Sequence, residues 1–62
     1  MTNQRLAEAY LARARELEDS AERLERTAPA AAGPQRRRDT TFLRREAAWW
    51  RAYAQTLVEA AA

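Results

Sequence analysis

The sequence predicts an all-α fold: an antiparallel two-helix hairpin with alanine-against-large heptad packing, closing as a homodimer into a four-helix bundle. Three observations predict it. The first is a pair of seven-residue patterns. In the first half Ala7, Ala14, Ala21 and Ala28 recur at that spacing, with Tyr10, Leu17 and Leu24 between them. In the second half Leu43, Trp50 and Leu57 recur, with Ala47, Ala54 and Ala61 between them. The second is the fit of one pattern to the other. Folding the chain back near residue 32 sets Ala21 against Leu43, Leu17 against Ala47 and Ala14 against Trp50. It also sets Tyr10 against Ala54 and Ala7 against Leu57. The third is the Pro29-to-Gly33 connection at the fold-back itself, of the length that joins antiparallel helix neighbours.

Helix 1 is expected over about residues 3–28. Thr2 or Asn3 can cap it by accepting a hydrogen bond from an early backbone N–H. Its interior holds Leu, Ala, Arg and Glu and neither Gly nor Pro, so local propensity supports it throughout. Arg15 and Asp19, Asp19 and Arg23, and Glu22 and Arg26 stand at helical neighbour spacing on the exposed face. Pro29 ends the helix, because the residue before a proline is pushed out of helical geometry.

The loop is expected over 29–33, and helix 2 over about residues 34–60. Pro34 suits a first helical turn, where its missing N–H costs nothing. Asp39, Thr40 and Thr41 offer an alternative, later start. The early start is preferred because it makes both helices about 39 Å long at 1.5 Å rise per residue. Residues beyond Ala60 are expected to fray. Alanine opposite each large side chain lets the helices approach at the short end of the usual ~8–10 Å separation. A repeat of seven further implies left-handed, coiled-coil-like crossing.

Residues 1–62 form one unit, too short for a second domain. A chain this short buries a modest fraction of its surface, and it has no cysteine to cross-link. Self-association or docking on a partner is the natural further source of stability. The absence of both histidine and cysteine removes the usual zinc ligands and nucleophile–base pairs. No cofactor, no metal and no enzymatic activity are therefore expected. Eleven basic against nine acidic residues leave a net charge of +2. All eleven are arginine, and lysine and isoleucine are absent, a bias that suggests a high-GC bacterium or a phage of one. No apolar run reaches the ~20 residues of a membrane span, and the N-terminus lacks a signal-peptide layout. No membrane partner is expected, and the cytoplasm is the expected location.

Two features could carry function. Phe42, Trp49, Tyr53 and Ala60 fall on one line of helix 2, roughly 90° around the helix from the seam at about 100° per residue. Trp50 is expected in the seam and Trp49 beside it. A lone hairpin leaves the stripe of Phe42, Trp49 and Tyr53 in water, which marks an interface. A homodimer is the first expected partner and another protein the second. Glu46 lies inside the stripe, where an unpaired buried carboxylate is costly. It is expected to pair with Arg13 or with an arginine of a partner chain. The second feature is the arginine cluster Arg36, Arg37, Arg38, Arg44 and Arg45 at the loop end. Positive charge near a helix N-terminus opposes the helix dipole. Neutralisation by Glu22, Glu25 and Asp39 is the expected reason it is tolerated. Contact with an acidic partner or a phosphate is the alternative.

The expected function is that of a small protein–protein interaction module: an adaptor, a regulator, or a phage- or mobile-element-encoded inhibitor of a larger protein. The alternative is a nucleic-acid-associated protein that uses the arginine cluster, although no base-reading motif is present.

Overall fold

A computed structural model describes residues 2–27 and 33–61. Two helices pack side by side, α1 over Asn3–Thr27 and α2 over Gly33–Ala61. The result is a rod of 48 × 14 × 12 Å. Ala28, Pro29 and the rest of the connection through Ala32 lie outside the described residues, as does Ala62.

Thr2 caps α1. Its Oγ1 accepts from the Arg5 N–H at 3.2 Å, and its carbonyl accepts from the Leu6 N–H at 3.0 Å. One residue thus satisfies a donor that the first helical turn leaves without a partner. At the other end of α1 the Thr27 hydroxyl donates to the Arg23 carbonyl at 2.6 Å. α2 begins at Gly33 and carries Pro34 in its first turn, so Asp39, Thr40 and Thr41 lie inside the helix. The Thr40 hydroxyl donates back to the Arg37 carbonyl at 3.2 Å, which lets this polar side chain sit buried in the seam.

The seam is made mostly of small residues. Ala7, Ala14, Leu17 and Ala21 are buried on α1, and Thr40, Ala47 and Ala54 on α2. Ala14, Leu17 and Ala47 form its central cluster, with Leu43 and Trp50 packed against it. These five are residues that the fold-back near residue 32 brings together. The seam is more alanine-dominated than the large-against-small pattern suggests, because Tyr10, Leu43, Trp50 and Leu57 are only half-buried. Small residues on both helices let the backbones close in, and a long side chain then has to leave the contact sideways. Thr40, also buried, extends the Ala47–Ala54 heptad by one step.

Candidate interaction surface

The hairpin has two flanks, one on each side of the plane through its helices, and they differ in chemistry. On one flank Glu25 pairs with Arg44, and Glu18 with Arg51, each across the seam. Both acids are seven residues apart, as are both arginines, so the two bridges repeat one heptad position. All four side chains are roughly half-exposed. Glu18 Oε1 is shut off from water beside Arg51, as an ionic contact without an aligned hydrogen bond. The hydrogen bond and charge of Arg44, with the field of Arg36, hold the Glu25 carboxyl below its ordinary range against a smaller opposing desolvation. The same hydrogen bond raises the Arg44 guanidinium further above its own ordinary value.

The other flank is aromatic. Tyr10 of α1 reaches two rings of α2, with centroids 4.8 Å from Trp50 and 5.1 Å from Tyr53. Trp49 meets Trp50 edge-on at 4.7 Å, with the planes 80° apart. It also stacks on Tyr53 one turn later, at 5.4 Å and 5°. Four rings from both helices thus form one connected network. Its outer members stay in water: Trp49 is 56% and Tyr53 42% exposed. The buried Trp50 Nε1–H has no acceptor among the described residues, and Trp50 packs through its ring contacts.

The expected stripe of Phe42, Trp49 and Tyr53 is brought together in part. Trp49 and Tyr53 stack, whereas Phe42, 65% exposed, makes no ring contact among the described residues. Tyr10 joins the surface from α1, a position read in the sequence as seam only. Its placement depends on a side-chain direction that spacing does not encode. Glu46 is half-buried between Phe42 and Trp49 and has no ion pair among the described residues. Arg13, its expected intrachain partner, instead binds Glu16 on its own helix at 3.2 Å. The spacings Arg15–Asp19, Asp19–Arg23 and Glu22–Arg26 are not closed into ion pairs either.

The arginine cluster divides. Arg44 is taken up by Glu25, and Glu22 adds its field at Arg44. Asp39 takes a hydrogen bond from Gln35 at 2.9 Å. Arg38 donates to the neutral Gln35 side chain at 3.0 Å. Arg37, Arg38 and Arg45 line an open depression of about 480 Å³ on the back of α2, with Pro34, Thr41 and Phe42. Phe42 therefore belongs as much to this basic depression as to the aromatic stripe.

Among the described residues no three or more His, Cys, Asp or Glu side chains gather where they could hold a metal ion. No helix among them is long and apolar enough to cross a membrane. No family model, no curated protein and no solved structure matches the chain.

Proposed function

We propose that this chain is a small, non-enzymatic protein–protein interaction module that works in the cytoplasm as a homodimer, its two hairpins closing a four-helix bundle. An adaptor, a regulator, or an inhibitor carried by a phage or mobile element has this form. The observation that carries the reading is the aromatic surface. Phe42, Trp49 and Tyr53 remain 65%, 56% and 42% exposed after the hairpin has closed. Aromatic side chains at this density are costly in water and are enriched where proteins bind one another. Partner contacts are assigned to Phe42, Trp49, Tyr53 and Glu46.

Sedimentation equilibrium tests this directly. The expected mass is about 14 kDa, twice the 7.1 kDa chain. Trp49→Glu should shift the protein toward monomer and lower its melting temperature at the same time, because folding and association are linked. A chain that stays monomeric at high concentration would remove the dimer and leave a foreign protein as the partner.

A second reading draws on the depression lined by Arg37, Arg38 and Arg45. Guanidinium groups beside an aromatic ring suit a phosphate backbone with a stacking base. This nucleic-acid reading ranks below the first, because Glu25 already occupies Arg44 and the net charge is only +2.

A further inference from the structure

We infer that a second copy of this chain covers the aromatic flank in a two-fold arrangement, with Arg13 of each copy reaching Glu46 of the other. The inference rests on the homodimer reading above and adds the face, the symmetry and the polar contact that specifies it.

The face follows from the difference between the flanks. The flank closed by Glu18–Arg51 and Glu25–Arg44 already has its charges matched across the seam. The outer rings of the aromatic flank are exposed, and both helices build it. At about 100° per residue, Leu6, Arg13 and Leu24 share one line of α1 beside Tyr10, and Glu46 and Tyr53 share one line of α2. Leu6, Leu24 and Glu46 are half-buried there. The docking surface is thus wider than a stripe on α2: it spans the hairpin.

The occupant follows from size and charge. A compact monomer of 7.1 kDa exposes about 4,100 Å², whereas this chain exposes 4706 Å². The excess of about 600 Å² approaches the ~800 Å² that each side of a stable interface buries. The radius of gyration is 14.3 Å. A 62-residue globule has about 10.6 Å, and one of twice that length about 13.7 Å. The rod already has the length of the larger body and lacks only its width, which a second hairpin laid alongside supplies.

A two-fold interface must be self-complementary, since each patch meets its own copy. The polar content of this flank meets that condition. Glu46 stands on α2 without an ion pair among the described residues. Among the described residues Arg13, on α1, is held only by Glu16 one turn away at the exposed surface. Such exposed same-helix pairs are weak and readily exchanged. One acid and one base on different helices of the same face are what a two-fold axis converts into two equal bridges.

A charge-swap experiment in trans tests this. Arg13→Glu and Glu46→Arg are prepared separately, and helix content by circular dichroism is checked for each. Each variant alone should dimerise at least ~tenfold more weakly than wild type, because like charges then meet twice across the axis. An equimolar mixture should recover the wild-type dissociation constant, since the heterodimer restores both bridges. Two outcomes overturn the inference while leaving the homodimer standing: single variants that dimerise like wild type, or a mixture no tighter than its components. Wild-type protein that is monomeric throughout the concentration range overturns the homodimer itself, and this inference with it.

Discussion

Glu25 is a carboxyl whose pKa the closed hairpin lowers, chiefly through the Arg44 hydrogen bond. Its carboxylate takes the Arg44 guanidinium across the seam, and its pKa falls below the ordinary value of 4.5. A carboxyl whose pKa is depressed on folding adds stability above its unfolded pKa and loses it as the pH falls through the folded one. The hairpin should therefore lose stability on acidification below about pH 4.5, in part through this group. Glu25→Gln should melt lower than wild type at neutral pH, and the gap should narrow as the pH falls through the depressed Glu25 pKa. A gap that persists undiminished in acid would assign the effect to packing. Neutralisation of the arginine cluster by Glu25 was legible in the sequence, and it falls on Arg44. The Glu18–Arg51 bridge was not, although Glu18 and Glu25 share a heptad position, as do Arg44 and Arg51: spacing of three or four residues is only one way for charges to meet, and a hairpin supplies the other.

At the scale of the helices, the chain's periodicity carries the fold. Alanine every seventh residue on α1 and Ala47 with Ala54 on α2 select the faces that meet. The buried cluster of Ala14, Leu17 and Ala47 sits where the fold-back places it. This was legible because a close helix contact demands small residues at a fixed period, and sequence spacing encodes period directly. Side-chain direction was not legible. Tyr10 lies on the alanine face by spacing, yet its ring leaves the seam to meet Trp50 and Tyr53. The register makes a sharp mutational expectation. Ala14 is fully buried against the cluster that Trp50 covers. Ala14→Leu adds three carbons inside this buried cluster and should cost about 1–3 kcal/mol. Ala12→Leu, on the exposed side of the same helix, should change stability by less than about 0.5 kcal/mol. Chemical denaturation of the two variants beside wild type checks both, and equal effects would count against the register.

For the whole molecule, the distribution of charge separates the two functional readings. α1 carries five arginines and six acids, and α2 six arginines and three acids, so net −1 lies beside net +3. The excess sits on α2, and its densest part is the depression formed by Arg37, Arg38 and Arg45. Phosphate binding releases counterions, and the log–log slope of affinity against salt is about −0.9 per phosphate contacted. Three contacts in the depression would give a slope near −3. Engaging all of Arg36, Arg37, Arg38, Arg44 and Arg45 would give about −4 to −5, and would first require breaking the Glu25–Arg44 bridge. Acids on α1 stand close enough to that end to repel a polyanion, with Glu22 and Glu25 both acting on Arg44. A molecule of net charge +2 has little long-range attraction left for one. The expected result is no measurable binding of duplex DNA or RNA at about 150 mM salt, by fluorescence anisotropy with labelled oligonucleotides. Submicromolar affinity under those conditions, abolished when Arg37, Arg38 and Arg45 become alanine and unaffected by Trp49→Glu, would reverse the order of the two readings. It would make the depression, and not the aromatic flank, the working surface of the protein.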